Sequence, residues 1–548
     1  MWRLKVAESG GTPLLRSTNG FLGRAVWEFD PDHGTPEDRA DVERVRREFT
    51  DHRLHHRESA DLLMRMQQNK HQRRRYRIPP VNNKLGEKEG VTEEIAMASL
   101  RRALDEFSSL QADDGHWPGD FSGVVFIMPG LNEDGGWGSL ILSSSTMFGT
   151  CSSYITLRLL SEETSNEQLA KGRIWIISHG GATLVPQWEK IWLSEDLVCP
   201  RTRLQNAVGS WLYRWVEPVM SSWAMSKLRG RALDRLMEHI HYEDENTALN
   251  MVCCWAEDPN SDAFKRHLAR VPDFLWLSED GMKAQVYDGC QSWETAFIIQ
   301  AFCATDLVNE YASTVQRAHE FLKNSQVVRN HPGDQSYWHR HRSKGSWTLS
   351  SADNGWAVSD TTAEALKAVL LLTKISINVV GDPIERERLH DAVDCLLCFV
   401  ISRMHVLSAS SFGAIQRTVP WLPLGTWGVC FTYGAFFSVK GLIAAGRTYE
   451  NSSSIRKACD FIMSKQLNTG GWGESHVSNE TKVYVNIKGD CAHAVNTAWA
   501  MLTLIYAGQE HVGCFNCSLF FNYPSYRNLF PIWALGEYCN RLRSERRA

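Results

Sequence analysis

A short pattern that returns three times limits what this chain can fold into. Phe107-x-x-x-Gln111 leads to Asp114-Gly115-His116-Trp117, Phe321 and Gln326 lead to Gly333 and Trp338, and Phe461 and Gln466 lead to Gly470-Gly471-Trp472-Gly473. Two further copies keep only the ending, Asn132-Glu133-Asp134-Gly135-Gly136-Trp137-Gly138 and Gly425-Thr426-Trp427-Gly428. A repeated unit of this kind buries its apolar face only by stacking on its neighbours. Within a unit, the spacing predicts a helix ending near the glutamine, a glycine that turns the chain, and a tryptophan that stacks on the adjacent unit. The glutamine amide is suited to bonding backbone groups left without partners at a neighbouring helix end. Concentric layers of helices follow from this reading.

The rest of the chain agrees with an all-α fold. Thr92-Glu93-Glu94 opens a helix with a capping pattern, and Leu100, Leu104 and Phe107 continue it at helical spacing. Alternating stretches are few. Residues 30–90 are charged and irregular and end at Pro79-Pro80, as expected of an arm wrapping a larger body. Among 548 residues there are 21 Trp, 22 Phe and 14 Tyr, more aromatic surface than core filling alone needs. The net charge of −4 argues against nucleic-acid binding. The basic run from Lys70 to Arg77 reads as a solvated face. Met1-Trp2-Arg3-Leu4-Lys5-Val6 lacks the apolar core of a secretory signal, and no run approaches the roughly 18 apolar residues of a spanning helix. Fourteen cysteines without such a signal imply free thiols in a reducing compartment. The pairs Cys395/Cys398 and Cys514/Cys517 lack the flanking histidines or turn glycines of a zinc site, so no metal is expected.

The repeat resembles the QW repeat of the squalene and oxidosqualene cyclase family, and the likeness extends over most of the chain. It is carried by His116-Trp117-Pro118-Gly119-Asp120, His241-Tyr242-Glu243-Asp244-Glu245-Asn246, Gly425 to Gly434, Val495-Asn496-Thr497-Ala498-Trp499 and Phe530 to Gly536. It implies two α/α barrels around a deep apolar cavity: an arm over 1–90, a partly deleted first barrel over 91–270, and a second over 271–548 carrying the catalytic acid. It further implies 2,3-oxidosqualene as substrate, a polycyclic triterpene alcohol as product and no cofactor. The protein would be attached to one leaflet at the cytoplasmic face of the endoplasmic reticulum, or to a lipid droplet.

Val358-Ser359-Asp360-Thr361-Thr362-Ala363-Glu364 resembles the family's Asp-Cys-Thr-Ala-Glu motif, whose aspartic acid protonates the epoxide. An epoxide oxygen is far more basic than an alkene, so one general acid suffices. Burial is expected to hold Asp360 protonated. Thr361-x-x-Glu364 also fits a capping box that would fix the direction of Asp360. By the same match, Trp293, Trp427 and Phe515 are expected to line the cavity and steady cations through their ring faces. Tyr287 matches a position that shapes the product. For any one of these aromatics, ordinary core packing is the competing reading.

Several positions depart from the family. Leu349 stands where phenylalanine is usual, Thr361 replaces a cysteine that hydrogen-bonds the acid, and Asn354 replaces a histidine. Segments are missing after Leu131, Ser194, Asn246 and Gly508, and residues 401–424 resemble nothing in the family. Such gaps expose apolar faces and admit water. Hence the alternative that the chain is an inactive remnant of a cyclase. An α/α-barrel interaction protein or prenyltransferase-like subunit is a third class, which would need a zinc constellation that the sequence does not show.

Overall fold

A computed structural model gives the structure of the chain. It describes residues 1–52, 61–72, 92–121, 134–137, 145, 147, 150–151, 153–154, 167–179, 211, 214–215, 226–243, 248–279, 281–285, 288–335, 337–338, 340–405, 429, 431–475, 477–481, 483–507 and 525–547. The helices are α1 (Pro36–His52), α2 (Leu62–Gln72), α3 (Glu93–Ser109), α4 (Glu167–Ser178), α5 (Ser226–Glu243), α6 (Ala248–Glu257) and α7 (Asp262–Arg270). They continue with α8 (Gln291–Cys303), α9 (Ala312–Asn324), α10 (Ser359–Leu372), α11 (Ile377–Val380) and α12 (Arg386–His405). The last are α13 (Thr432–Ala444), α14 (Ser453–Met463), α15 (Val477–Thr481), α16 (Ala494–Tyr506) and α17 (Tyr526–Arg547). The sheets described are two antiparallel pairs, β1 (Trp2–Val6) with β2 (Ala25–Phe29) and β3 (Leu275–Ser278) with β4 (Gly281–Ala284). The fold is all-α, as expected.

Contacts divide the chain into two units. The larger holds residues 1–121, 244–518 and 522–548, and the smaller holds 122–243 and 519–521. In the larger unit, α8 packs on α10 and α17, and α16 packs on both α13 and α17, forming an inner set. Outside them, α9 packs on α8, α12 on α10, α14 on α13 and α16, and α3 on α17. Sequence reflects the layering. α8 is buried from Gln291 through Phe302 because it is covered on all sides. α14 buries one stripe, Ile455, Ala458, Cys459 and Ile462, and leaves the other face to solvent. α3, which opens the expected first barrel, packs on α17 at the far end of the chain. Its helix begins as expected, with the Thr92 hydroxyl accepting from the Ile95 amide at 3.3 Å.

The repeat has one geometry. The Trp117 indole donates to the Phe107 carbonyl (2.8 Å), Trp347 to Leu322 (2.8 Å) and Trp472 to Ile462. In each case the acceptor lies four residues before the glutamine, in the last turn of that unit's own helix. The glutamine amide then closes the turn, Gln111 onto Gly115 (2.8 Å), Gln326 onto Gly345 (2.9 Å) and Gln466 onto Gly470 (2.8 Å). Gln111 also reaches the Thr314 carbonyl in the first turn of α9, and Gln326 the Arg388 carbonyl in the first turn of α12. Two expectations change. The second unit uses Gly345 and Trp347 rather than Gly333 and Trp338, because a longer excursion separates the glutamine from its turn. Trp117 stacks on Phe107 of its own unit, with ring centroids 5.4 Å apart. In the smaller unit, the fourth copy keeps the ending, with Asp134 accepting from the Gly136 amide and the Trp175 indole.

α12 runs through His405, and residues 406–424 lie outside the described residues, as do Cys514 and Cys517. Cys395 is buried, with its thiol donating to the Arg342 carbonyl at 3.3 Å.

Gly115 (φ +100°) and Gly345 (φ +91°) press against the backbone carbonyls of Arg317 in α9 and Asp391 in α12, whereas Gly470 (φ +85°) faces open space. All three substitutions to alanine incur the strain of a positive φ, about 1–3 kcal/mol. Gly115→Ala and Gly345→Ala are therefore expected to lower the thermal unfolding midpoint clearly further than Gly470→Ala, because only they also push helices apart.

Candidate active site

The N-terminal ends of α8 and α10 meet at one loop. α8 has no side-chain cap, so its first amides go to backbone carbonyls: Ser292 to Ser350 (3.2 Å) and Trp293 to Leu349 (3.3 Å). The same loop is tied to α10, with the Trp347 amide donating to the Thr362 hydroxyl (3.0 Å) and that hydroxyl donating to Val358 (2.7 Å). Trp293, Leu349, Asp360 and Thr361 are thereby held in one neighbourhood. A half-buried carboxyl, Asp288, braces the loop by accepting from Ser350, Ser351 and Asn354. Burial pushes it up to about 7. Asn354, the residue standing in for a histidine, thus has a structural partner.

Helical spacing arranges side chains of the inner helices in three tiers. Trp293, Asp360, Tyr433, Trp499 and Tyr526 form the first. The Trp293 indole donates to the Tyr526 hydroxyl at 2.6 Å, and Trp499 meets Tyr526 and Tyr433 edge-on at 6.2 and 4.9 Å. One turn on, Phe297, Phe436, Phe437 and Phe530 interlock with centroids 4.8–6.1 Å apart. The third tier is polar: Gln300, Glu364, Lys440, Tyr506, Trp533 and Glu537. Gln300 donates to the Glu364 carboxylate at 2.8 Å, and the Tyr506 hydroxyl donates to Glu537 at 3.1 Å.

Three expectations about the acid are corrected. Asp360 is exposed, not buried, because it sits in the first turn of α10 at the helix ends. Its carboxylate accepts from the neighbouring Ser359 hydroxyl at 3.0 Å rather than from Thr361. Thr361 is fully buried and its hydroxyl has no partner among the described residues. The capping box is absent: Val358 is the N-cap, without a side-chain bond, so Thr361 already lies within the helix. Glu364 turns instead toward Gln300, Lys367 (3.7 Å) and Lys440 (4.0 Å). Trp293 is buried in the first tier and Leu349 is half-buried beside it. Tyr287, Trp427 and Phe515 lie outside the described residues.

Several residues of the site were not singled out in the sequence. Burial holds the Tyr433 hydroxyl well above its ordinary range, and the negative charges of Asp360 and Glu364 act in the same direction. Its spacing to Phe437 and Lys440 on one face of α13 was the available signal. Glu474, directly after the Gly471-Trp472-Gly473 of the third complete unit, accepts the Phe431 and Thr432 amides (2.9 and 2.8 Å) and so caps the helix that carries Tyr433. Glu294, next to Trp293, accepts from the Ser525 hydroxyl at 2.6 Å, while its other oxygen has no partner among the described residues.

Burial pushes Glu294 up to about 7. An unfolded glutamate titrates near about 4.3. A raised folded pKa contributes stability that is fully present below the unfolded value and is lost as pH rises through the folded one. The unfolding midpoint is therefore expected to fall between about pH 4.3 and 7. Glu294→Gln removes part of that slope, to which Asp288, Glu474 and Glu537, pushed the same way, also contribute. A slope unchanged by Glu294→Gln, measured by thermal unfolding across that window, contradicts the assignment.

Comparison with known proteins fits this architecture. The family model described as squalene-hopene cyclase C-terminal domain matches residues 414–514, and the corresponding N-terminal domain matches 126–197. The first match begins inside 401–424, so the later part of that stretch follows the family pattern after all. Alpha-onocerin synthase LCD from Lycopodium clavatum is 35% identical, covering 99% of each chain. Lanosterol synthase from Homo sapiens is 30% identical over 79% of this chain and 87% of its own. Cycloartenol synthase from Dictyostelium discoideum is 28% identical over 80% and 91%. The Lycopodium alignment runs over 763 residues, longer than this 548-residue chain, so the relative has residues that this one lacks. The protein is a member of the squalene and oxidosqualene cyclase family.

Proposed function

We propose that this chain cyclises 2,3-oxidosqualene to a polycyclic triterpene alcohol, with Asp360 as the general acid. The observation that carries the proposal is the first tier: a carboxyl at the head of α10 whose charge reaches Tyr433, and Tyr433 is joined through Trp499 and Tyr526 to Trp293. In this reading the Asp360 proton goes to the epoxide oxygen, the C–O bond breaks, and successive alkene π pairs close the rings. Positive charge moves along the chain until a proton is lost or water adds, so the proton consumed at the start is released at the end. Aromatic faces steady that charge without trapping it, which a hydroxyl or amine would do. Tyr287, Leu349, Trp427 and Phe515 complete the proposed cavity, and Thr361 backs the acid by packing.

Glu364 is a poor rival for the acid. It is engaged by Gln300, Lys367 and Lys440 one turn deeper. In a yeast strain lacking its own cyclase and accumulating oxidosqualene, the chain is expected to yield a cyclised alcohol among the neutral lipids. Asp360→Asn should reduce this by on the order of 100- to 10,000-fold at unchanged protein level. Product retained in Asp360→Asn but lost in Glu364→Gln would move the role to Glu364. No product from the unaltered chain would favour the inactive remnant.

Attachment to a lipid surface belongs to the same reading. No described helix is long and apolar enough to cross a membrane. In the smaller unit, Trp211 and Trp215 are exposed, and α5 exposes Leu233 and Leu236 together with Lys227, Arg231 and Arg235. Exposed tryptophans and a basic amphipathic helix suit an anionic interface. The protein is expected to float with liposomes containing phosphatidylserine, and Trp211→Ser with Trp215→Ser should weaken this several-fold; undiminished flotation would place the contact elsewhere.

A further inference from the structure

The third tier holds a cation. The Lys440 ammonium lies 4.3 Å from the centroid of Trp533, 5.1 Å from Phe436 and 5.9 Å from Phe437. Its side chain is 15% exposed, and Nζ has no hydrogen-bond partner among the described residues. The charged and titratable groups around it are Glu364 (4.0 Å) and Lys367 from α10, Glu537 from α17 and Tyr506 from α16. Lys367 also approaches the Trp533 ring, at 5.8 Å.

Phe436 and Phe437 connect this ammonium to the first tier. Phe437 packs against Tyr433 at 4.6 Å and Phe297 at 6.1 Å, while Phe436 meets Phe530 at 6.0 Å. The rings that would carry positive charge deeper into the inner helices are therefore already polarised by a nearby cation. A ring face attracts a cation through its quadrupole, and a second like charge within about 10 Å in a medium of effective dielectric near 20 is disfavoured by on the order of tenfold.

We infer that Lys440 is a fixed positive charge beneath the aromatic tiers that limits how far a cation can penetrate them, and so is a specificity-determining residue. The inference rests on the cyclase reading for its consequence in product choice, but not for the charge effect itself. Burial pushes the ammonium down to about 7, with Glu364 opposing that shift and Lys367 adding to it. The charge is present below that pH and lost above it. Arginine at the same place stays charged throughout, and methionine never is.

The direct test is binding of a permanently charged probe, dodecyltrimethylammonium below its micelle-forming concentration, read by tryptophan fluorescence with 1-dodecanol as uncharged control. Wild type should bind the probe on the order of tenfold more tightly at pH 8.5 than at pH 6. Lys440→Met should bind tightly at both, Lys440→Arg weakly at both, and 1-dodecanol should not discriminate. Wild-type affinity that ignores pH, or a Lys440→Arg variant that follows pH as wild type does, overturns the inference. That pair of measurements suffices even if Lys440→Met fails to fold. In turnover, product ratios should shift between pH 6 and 8.5 in wild type and stay constant in Lys440→Arg. Absent turnover would count against the cyclase reading and leave the binding result to decide the charge.

Discussion

The structure depends on one bond, the indole N–H of a repeat tryptophan donated to a carbonyl in the last turn of its own helix. Helix ends leave carbonyls without intrahelical partners, and burying them unpaired is costly. Trp117, Trp347 and Trp472 settle this by folding a large ring back over the helix end. The ring excludes water while its single donor satisfies the carbonyl. The glutamine then fixes the turn and, in the first two units, reaches into the next helix. Fastening of this kind suits a wall of helices whose inner surface must remain apolar, because no polar side chain needs to point inward to hold it.

From these fasteners the site is assembled. The turn that ends at Trp347 continues directly into the loop that supplies carbonyls to the start of α8 and is pinned to Thr362 at the start of α10. Trp472 is followed by Glu474, which caps α13. Trp293, Asp360 and Tyr433 therefore owe their positions to helix starts that are each anchored by a repeat. The helices are rigid beyond that point, and their periodicity places a ring layer and then a polar layer below.

The tiers separate two electrostatic tasks. At the helix starts, the exposed Asp360 carboxyl acts on the Tyr433 ring. Two turns on, Lys367 and Lys440 share the single carboxylate of Glu364 beyond the layer of phenylalanines. Asp288 and Glu294, at the same helix starts, are pushed toward neutrality and act as braces between segments.

The sequence alone determined the all-α class, the helix starting after Thr92 and the repeated Gln-Gly-Trp pattern, and it put a helix start at Thr361, two residues later than the one observed at Ser359. These are local properties, set by hydrogen-bonding patterns and apolar spacing within a few residues. Tertiary structure alone decided that Gln326 closes on Gly345, that Thr362 rather than Thr361 ties α10 to its loop, and that Asp360 is exposed. It also decided that Glu364 pairs with Lys440 and that Tyr433 meets Trp499 edge-on. Each of these depends on how far a helix is rotated about its axis when it packs, and that angle is fixed by side chains dozens to hundreds of positions away. A spacing of three or four residues fixes which side chains share a face, and only the packed neighbours fix what that face meets.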